Sequence, residues 1–398
     1  MLIQIQHLAT IAQKDTRQII GLMSGTSLDG LDVAWCSITG AGQAAKITLR
    51  AFHTEPYDEV FKSEIRRVFA KKAIDFQHLT LLNILIAERH AAIVTACLRQ
   101  WDIAANDIDL IASHGQTVFH APRVLHGLPD YPNATLQIGD GDHIARRTGI
   151  LTISDFRQKH VATGGEGAPL ALYGDYFLFS DPSENRILLN IGGIANFTWL
   201  PASGDAAAVF ATDTGPGNTL LDVFARELFQ VPFDKDALLA HAGIPDKTLV
   251  DILRQEPFFA APFPKTIGPE LFSRQWINNA LAKLPKGSPA HNPYNLMASL
   301  SALTADTIAE AITRSTTDQQ GSIYVSGGGA HNPFIINRLR SLLPHWSIRA
   351  MADLGISGDA KEAMLFAMLA NECVAGKDDP SIQLGGIPLI SMGKISLP

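Results

Sequence analysis

Residues 23–32 read MSGTSLDGLD and bring glycines, hydroxyls and carboxylates together within one short segment. Glycine lets backbone N–H groups approach an anion closely, and the hydroxyls of Thr26 and Ser27 add further donors. The carboxylates of Asp29 and Asp32 are suited to a cation. These residue types predict a turn that binds phosphate and its metal. An ordinary turn, which also favours Gly, Ser and Asp, is the alternative on these residues alone.

Apolar runs at 19–23 and 31–35 flank this turn and predict the two strands of a β-hairpin. Gly25 and Gly30 have the spacing of a Walker A loop, but no Lys-Ser/Thr pair follows them. The hairpin is therefore predicted to bind phosphate through backbone donors rather than through a P-loop lysine.

Two further glycine sites follow apolar strands. The sequence RILLNIGGIANFTWL (186–200) predicts a second hairpin around Gly192 and Gly193, and its repetition of the first design suggests two related halves. In SIYVSGGGAHNPFIINRLRSLL (322–343), a strand leads through Gly327, Gly328 and Gly329 to a helix. This order favours nucleotide binding, with a tight connection as the alternative. Neither site contains GxGxxG, which disfavours a dinucleotide fold.

Polar chemistry also marks two loops. ATDTGPGNTLLD (211–222) places Asp213 just ahead of a Gly-Pro-Gly turn, where a carboxylate could act on a ligand or simply stabilise the turn. DFRQKHVATGGEGAPLAL (155–172) combines Arg157 with Lys159, His160 and a glycine-rich loop. That local positive charge predicts a site for an anionic substrate group, with a solvated loop as the alternative.

Composition limits the class of protein. The chain has 398 residues, 46% of them hydrophobic, which suits a large core and about two domains. Its formal charge of -7 argues against a nucleic-acid partner. The three cysteines lack CxxC spacing, and His114 and His120 do not have the spacing of zinc ligands. The cysteines suit a reducing cytoplasm, and we expect no membrane span and no signal peptide. Residues 1–18 are expected to form a mobile or packed extension.

Strand and helix patterns alternate and predict an α/β architecture. Residues 80–100 predict a core helix. Residues 109–119 predict a buried strand that breaks at Gly115, 140–147 a short helix and 150–153 another strand. The predicted apolar stripe of the core helix consists of Leu81, Leu82, Leu85, Ile86, Ala92, Ile93 and Ala96.

Nine motifs together resemble one family, the anhydro-N-acetylmuramic acid kinases of the sugar kinase, actin and heat-shock ATPase superfamily. They occur in this order: MSGTSLDGLD (23–32), SHGQTVFH (113–120), LQIGDGDHIARRTGI (136–150), DFR (155–157), GGEGAPL (164–170), LNIGGIAN (189–196), DTGPGN (213–218), SGGGAHN (326–332) and GDAKEAMLFA (358–367). Two departures stand out: Glu166 occupies a position where glutamine is expected, and the N-terminal extension is atypical.

The resemblance implies a two-domain actin-like ATPase (ribonuclease H-like) fold, with ATP and substrate in a cleft between the domains. The first domain would comprise 1–145 and 366–398, and the second 146–365. The implied reaction converts ATP, water and 1,6-anhydro-N-acetylmuramic acid into N-acetylmuramic acid 6-phosphate and ADP in cell-wall recycling. ATP and Mg²⁺ are the implied cofactors, and a homodimer is the implied assembly. Another sugar or acyl kinase of the superfamily, and a non-catalytic ATP- and sugar-binding switch, are the alternatives.

The resemblance also suggests a role for each motif residue. Asp213 is the predicted general base for water. The predicted phosphate and nucleotide contacts are Gly25, Thr26, Ser27, Leu28, Asp29, Gly30, Leu31, Asp32, Gly192, Gly193, Gly327, Gly328 and Gly329. Asp29 and Asp32 are the predicted Mg²⁺ ligands, directly or through water. The predicted sugar contacts are His114, Gln116, Arg157, Gly165, Glu166, Asn196, Thr214 and Glu362; an exposed first-turn helix carboxylate is the alternative for Glu362.

Overall fold

The computed structural model describes residues 3–168, 170–267, 271–316, 318–355, 360–377, 379–385 and 387–398. Of the motif residues, Pro169, Gly358 and Asp359 lie outside these ranges. The chain divides into two compact units: the first comprises Met1–Phe179 and Ile356–Pro398, and the second comprises Ser180–Gly355.

Within the described residues, the first unit begins with the following α-helices and β-strands. They are α1 (Ile3–Gln13), β1 (Thr16–Ser24), β2 (Gly30–Thr39), β3 (Lys46–Pro56), α2 (Glu59–Arg66), α3 (Phe76–Gln100), β4 (Leu110–Ala121), α4 (Arg123–His126), β5 (Ala134–Ile138), α5 (Gly141–Thr148), β6 (Thr152–Ser154), α6 (Arg157–Ala162) and α7 (Ala171–Phe179).

The second unit follows, and the chain then returns to the first. The elements of the second unit are β7 (Arg186–Ile191), β8 (Ile194–Leu200), β9 (Phe210–Pro216), α8 (Asn218–Phe229), α9 (Leu238–His241), α10 (Lys247–Leu253), α11 (Pro257–Ala260), α12 (Arg274–Leu281), α13 (Pro293–Ser315), β10 (Gly321–Ser326), α14 (Pro333–Leu342) and β11 (Trp346–Ala350). The returning elements are α15 (Lys361–Ala375), β12 (Asp379–Leu384), β13 (Ile387–Leu389) and β14 (Lys394–Ser396).

The two units contain the same five-stranded topology. In the first, β1, β2 and β3 form an antiparallel meander, and β4 and then β6 add in parallel beside β1. In the second, β7, β8 and β9 form the meander, and β10 and β11 add in parallel beside β7. The α/β class is confirmed, and the repeated strand order agrees with the actin-like (ribonuclease H-like) arrangement. It also supports the two related halves suggested by the glycine hairpins.

The boundary between the units lies further along the chain than the sequence predicted. The predicted first domain ended at residue 145, before β6. In the structure β6 pairs in parallel with β4 through Ile111 and Thr152, so β6 and the two helices after it belong to the first unit. On the return, α15 enters the first unit from its first turn rather than from residue 366.

Gly21 allows α15 to pack directly against β1. A Cβ atom at this position would lie 1.9 Å from the backbone oxygen of Ala363, closer than atoms can approach. Only a residue without a side chain permits this contact between strand and helix. The close approach fixes where α15 begins, and therefore where the Glu362 carboxylate lies.

Helix α3 is confirmed, but four positions of its predicted apolar stripe are wrong. Leu82, Ile86 and Ile93 are buried as predicted, whereas Leu81, Leu85, Ala92 and Ala96 are exposed. The buried face instead includes His90 and Ala91, together with Ala87, Val94, Cys97 and Leu98. Apolar residues occur on both faces of this helix, so periodicity alone could not identify the packed one. Within the described residues α3 is also long and apolar enough for a membrane span, although half of its most apolar window is buried in the protein.

The predicted break at Gly115 is instead a bulge inside one long strand. β4 continues to Ala121 because β5 pairs with its second half, from Gln116 opposite Ile138 onward. Gly115 has a φ of 74°, and the pairing of β4 with β1 shifts register at this point. The bulge turns His114 and Gln116 toward the end of the first hairpin.

The N-terminal extension is packed in part. α1 covers most of it, and Ile11 is fully buried. The Arg17 guanidinium, itself buried, donates to the backbone oxygens of Ile11, Ala12 and Lys14 at the end of this helix. These bonds tie Arg17 to the backbone oxygens at the carboxyl end of α1 and just after it.

Candidate active site

The tip of the first hairpin carries exposed polar side chains around one buried residue, Leu28. The Leu28 amide donates to the Gly25 oxygen at 3.3 Å and closes a tight turn. Leu28 has a φ of 61°, unusual for a residue with a side chain, and is held by burial in the core. Thr26, Ser27 and Asp29 are exposed. The turn thus directs hydroxyls and a carboxylate outward while Leu28 fixes it from within.

The carboxylates at this tip suit a magnesium ion that arrives with a phosphate ligand. Asp32 accepts a hydrogen bond from the Thr54 hydroxyl through Oδ1 at 2.6 Å, which orients the carboxylate. Asp29 lies exposed nearby in sequence. Among the residues that the structure describes, no group of three or more His, Cys, Asp or Glu side chains could enclose a metal ion. Mg²⁺ commonly binds one or two carboxylates together with substrate phosphates, so this donor set fits the ion.

Half-buried Arg157 and buried His114 form a pair in the first unit. Arg157 Nε donates to His114 Nε2 at 3.0 Å, and Arg157 Nη1 donates to the Gly167 oxygen at 2.6 Å. The other ring nitrogen of His114 therefore carries the proton and donates to the Gly115 oxygen at 2.9 Å. Burial, and then the Arg157 charge, lower the pKa of His114 to about 3. The imidazole is neutral and orients the guanidinium.

The glycine-rich loop after α6 is anchored on both sides of Glu166. The Gly165 amide donates to the His160 oxygen at 2.9 Å, and the Gly167 amide donates to His160 Nδ1 at 2.9 Å. Glu166 itself is half-buried. Burial and the Arg157 charge lower the pKa of His120, and the negative charge of Glu166 opposes that shift. The backbone of the loop is thereby fixed, with the Glu166 side chain at its centre.

Glu362 lies in the first turn of α15, next to the Gly21 contact, and its side chain is exposed, as the alternative of a first-turn helix carboxylate predicted. Desolvation raises the pKa of its carboxyl group, and the negative charge of Asp32 raises it further, while Lys361 and Arg157 act in the opposite direction. These couplings bring Glu362, Asp32 and Arg157 into one electrostatic group within the first unit. The sequence assigned these three residues to separate motifs.

Gln116 has no exposed surface, and its amide bonds to protein groups. Its Oε1 accepts from the Ser24 hydroxyl at 2.6 Å, and its Nε2 donates to the backbone oxygens of Gly25 and Thr117 at 3.3 and 3.2 Å. The prediction assigned Gln116 to the sugar. Its described contacts instead connect β4 to the first hairpin.

The second hairpin directs its carbonyl groups toward the start of α8. The oxygen of Gly192 accepts from the Asn218 amide at 2.7 Å, and that of Gly193 accepts from the Gly217 amide at 2.9 Å. The N–H of a trans peptide points opposite to its C=O. The amides of Gly193 and Ile194 therefore point away from α8.

Asp213 lies on β9, and one of its carboxylate oxygens is already held. Oδ2 accepts from the Ile267 amide at 2.8 Å, and the Asp213 amide donates to the Lys265 oxygen at 2.9 Å. Burial raises the pKa of the Asp213 carboxyl group, and the Ile267 amide opposes that shift. The sequence did not predict this contact, because Ile267 contributes only its backbone amide, which no residue type signals, and it lies 54 residues from Asp213.

Asn196 and Thr214 flank Asp213 in the sheet. Asn196 pairs with Asp213 across β8 and β9, which places both residues at one position along the two strands. Thr214 is buried, and its hydroxyl donates to the Ala195 oxygen at 3.0 Å. The described contacts of Thr214 therefore join the strands of the sheet.

The third glycine site borders a cavity of about 540 Å³ within the second unit. Gly327 has a φ of 78°, and Gly328–His331 form a short 3₁₀ helix before α14. Asn332 caps α14 by accepting from the Ile335 amide at 3.1 Å. The cavity is lined by Asn218, Leu221, Asp222, Phe233, Asp234, Lys235, Asp236, Gly328, His331 and Asn332.

Several of these lining residues were not predicted as ligand contacts. Asn218 and Asp222 lie four residues apart on α8 and share one helix face, which is the signal that could have paired them. Phe233 and Lys235 come from a segment with no motif, and Lys235 begins a short 3₁₀ helix. Of the three predicted glycines, Gly328 lines the cavity directly.

The repeated α/β units, with a glycine hairpin at the same place in each, define an ATPase-type fold of the actin and sugar kinase class. A family model described as anhydro-N-acetylmuramic acid kinase matches residues 17–382. The chain belongs to this family. A relative named anhydro-N-acetylmuramic acid kinase from Pseudoalteromonas atlantica (strain T6c / ATCC BAA-1087) is 51% identical over 398 residues, covering 99% of each chain. Relatives of the same name from Caldanaerobacter subterraneus subsp. tengcongensis and Vibrio cholerae are 36% and 37% identical, covering 99% and 95% of this chain and 100% and 98% of their own.

Solved structures give more distant matches. A hexokinase crystal structure aligns over 90% of this chain and 85% of its own, at 11% identity and a TM-score of 0.44. A ROK family glucokinase from Streptomyces griseus in complex with glucose and AMPPNP aligns over 88% and 98%, at 11% identity and a TM-score of 0.32.

Proposed function

We propose that this protein phosphorylates 1,6-anhydro-N-acetylmuramic acid with ATP while water opens the anhydro ring. The products are N-acetylmuramic acid 6-phosphate and ADP, in recycling of the bacterial cell wall. Family membership over residues 17–382 supports the reaction. The observation that carries the mechanism is Asp213, a carboxylate with a raised pKa and one oxygen fixed by the Ile267 amide.

In the proposed reaction, Oδ1 of Asp213 takes a proton from water, because Oδ2 is held by Ile267. The water oxygen then bonds to the anomeric carbon as the bond from that carbon to O6 breaks. O6 takes the γ-phosphoryl group of ATP, and ADP leaves. A carboxylate that activates water opposite a leaving oxygen is the arrangement of an inverting glycosidase. The phosphoryl group replaces the proton that a second carboxylic acid would otherwise supply.

The phosphate contacts are proposed for the two hairpins. The turn at residues 25–32 would bind through backbone and hydroxyl donors, and the amides of Gly193 and Ile194 would contribute from the second unit. Asp29 and Asp32 would hold Mg²⁺, which neutralises phosphate charge during transfer. The cavity beside Gly328 would take the nucleoside, with Asp222 and Asn218 supplying polar contacts.

The sugar contacts are proposed for the electrostatic group of the first unit and for the residues near Asp213. Arg157 is held by His114 and Gly167 and would attract the substrate carboxylate. Glu166 and Glu362 would accept hydrogen bonds from the sugar. Asn196 in the second unit would contact the sugar beside the general base. A cytoplasmic location and a homodimer are part of the proposal on the basis of the family resemblance.

An ADP-release assay with and without the anhydro sugar tests the function. Release that requires the sugar, with ¹⁸O from labelled water entering at C1 and inversion at that carbon, is the expected result. Label in inorganic phosphate would instead indicate plain ATP hydrolysis. A panel of other sugars and acyl acids separates this reaction from those of other kinases in the superfamily, and ligand binding without any ADP would indicate a non-catalytic switch.

A further inference from the structure

A line of buried side chains connects the interior of the first unit to the tip of its phosphate hairpin. It starts at His90 on α3 and passes through Tyr57, Ser24 and Gln116. His90 and Gln116 have no exposed surface, and Ser24 and Tyr57 are only 1% and 4% exposed. The line ends at the backbone oxygen of Gly25, the first residue of the turn.

The Gly25 oxygen, where the line ends, fixes which group donates in each hydrogen bond. Gln116 Nε2 lies 3.3 Å from the Gly25 oxygen and 3.2 Å from the Thr117 oxygen, and both oxygens can only accept. The amide oxygen of Gln116 therefore faces Ser24, whose hydroxyl donates to it at 2.6 Å. The Tyr57 hydroxyl donates in turn to Ser24 Oγ at 3.0 Å.

His90 is then the first donor. Its Nε2 lies 2.9 Å from the Tyr57 hydroxyl oxygen, whose own proton is committed to Ser24. The line therefore requires a proton on Nε2 of His90, and it leaves Nδ1 without a partner among the described residues. A buried unpaired nitrogen is destabilising. Burial lowers the pKa of His90 to about 3, so the ring stays neutral and the order of donors does not change near neutral pH.

Tyr57 also holds the other side of the turn. Its backbone amide donates to the Asp29 oxygen at 3.0 Å. One residue thus contacts Ser24, just before the turn, and Asp29, within it. Its ring is fixed by an edge contact with Phe61 at 4.8 Å between centroids.

The consequence concerns the peptide between Gly25 and Thr26. Its oxygen accepts from the buried Gln116 amide and from the backbone amide of buried Leu28, so the C=O faces inward. In a trans peptide the N–H points the opposite way. The Thr26 amide is therefore directed outward, where the Thr26 side chain is exposed. We propose that Tyr57 is a positioning residue. Through its hydrogen bonds with His90 and Ser24, and through Gln116 further along the line, it orients the Thr26 amide toward a phosphate of ATP. This inference rests on the proposed function, because it assumes that the turn binds phosphate.

Tyr57→Phe tests the proposal, because it removes the hydroxyl and leaves the ring and the backbone bond to Asp29. We expect the KM for ATP to rise about three- to tenfold, which corresponds to the loss of one hydrogen bond. The KM for the sugar should change less than twofold. Tyr173→Phe is the matched control, since the Tyr173 hydroxyl is buried without a partner among the described residues. It should leave both KM values unchanged.

Substitutions at His90 test the start of the line. The amide nitrogen of His90→Gln can take the place of Nε2 and should keep the KM for ATP within about threefold of wild type. His90→Leu cannot donate, and it should reproduce the effect of Tyr57→Phe. A merely structural role would instead lower the amount of folded enzyme and leave both KM values of the folded fraction unchanged.

Two results would overturn the proposal. One is an unchanged KM for ATP in Tyr57→Phe, with a wild-type thermal midpoint. The other is a ¹⁵N spectrum of the histidine-labelled protein in which His90 carries its proton on Nδ1. The wild-type ADP-release assay separates these failures from failure of the proposed function, because it does not depend on Tyr57.

Discussion

Asp213 and Glu362, two of the carboxyl groups whose pKa is raised, differ in how they are held. Oδ2 of Asp213 accepts a hydrogen bond from the Ile267 amide, which leaves Oδ1 to accept a proton. Glu362 has no such amide contact among the described hydrogen bonds, and it is coupled to the charges of Lys361, Asp32 and Arg157. The first arrangement suits a base that must accept a proton in one direction. The second suits a side chain that adapts to a polar ligand.

Asp213→Asn should reduce kcat by about 10²- to 10⁴-fold, the usual contribution of a general base. The asparagine keeps the size of the side chain and can still accept from the Ile267 amide, so ATP binding should be unchanged. Rates of ADP release and the Kd of ATP check this expectation. Asp205→Asn, at an exposed cap in the same unit, is the matched control and should retain full activity. Near wild-type turnover in Asp213→Asn would show that another group acts as the base.

The pH profile of kcat/KM should have an acidic limb that reports Asp213. Burial raises the pKa of this group, and the base must be ionised to work. Activity should therefore fall as the pH drops, with a midpoint above the ordinary aspartate value of about 3.9. Assays across a pH series in a constant-ionic-strength buffer measure it. A midpoint at or below that value would contradict the assignment.

Arg157→Ala should raise the KM for the sugar by about tenfold or more and the KM for ATP by much less, because a desolvated charged hydrogen bond to the substrate is lost. Arg146→Ala removes an exposed arginine from α5 and serves as control. Equal increases in both KM values would place Arg157 in a general structural role.

At the scale of elements, the sequence predicted local structure better than packing. Both hairpins and the helix after Gly327–Gly329 were predicted correctly, because apolar runs, glycine turns and an Asn-Pro cap are local signals. The buried face of α3 was partly wrong, since only the partner elements decide which apolar face is covered. The break at Gly115 was wrong for the same reason: β5, a later strand, extends β4.

The candidate site shows the same limit. Sequence motifs predicted Asp213 and the residues of the first hairpin as site residues, but not the partners that orient them. Ile267 lies 54 residues from Asp213, and Tyr57 lies 33 residues from both Ser24 and His90. None of these partners has a residue type that signals a function by itself. Their roles come from tertiary contacts that no local pattern encodes.

Gly21→Ala should destabilise the first unit and reduce activity, because the new Cβ would lie 1.9 Å from the Ala363 oxygen. Displacing α15 from β1 moves Glu362, and overpacking of this kind costs about 1–3 kcal/mol or more. Chemical denaturation and kcat/KM for the sugar measure the two effects. Gly127→Ala is the comparison, since that residue has a φ of 65° but a Cβ added there would meet no atom within 4 Å. A smaller loss in Gly21→Ala than in Gly127→Ala would contradict the close-packing argument.

For the whole molecule, buried neutral histidines make stability depend on pH. His90 and His114 each have a pKa lowered to about 3 in the folded protein. In the unfolded chain a histidine gains its proton near pH 6.5. Between about pH 6.5 and pH 3 these two histidines are therefore protonated only in the unfolded chain, and lowering the pH stabilises that state relative to the folded one. Stability from each group is complete well above pH 6.5 and falls below it, by about 2 kcal/mol at pH 5.

The variant His90→Gln should abolish the protonation of residue 90 on unfolding, and with it the contribution of that group to the pH dependence of stability. Its free energy of unfolding should change less than that of wild type between pH 8 and pH 5, by about 2 kcal/mol. Denaturation curves at each pH provide the measurement. The control is His345→Gln, which replaces an exposed histidine. Identical pH dependence in wild type and His90→Gln would contradict the buried neutral state.

The return of the chain to its first unit has a consequence for synthesis on the ribosome. β14 pairs with β6, and α15 packs against β1, but both elements lie near the carboxyl end of the chain. The second unit, Ser180–Gly355, is continuous and can fold as soon as it emerges. We expect the sheet of the first unit to stay partly uncovered until α15 and β14 are translated. We therefore expect the domain that is made first to be completed last.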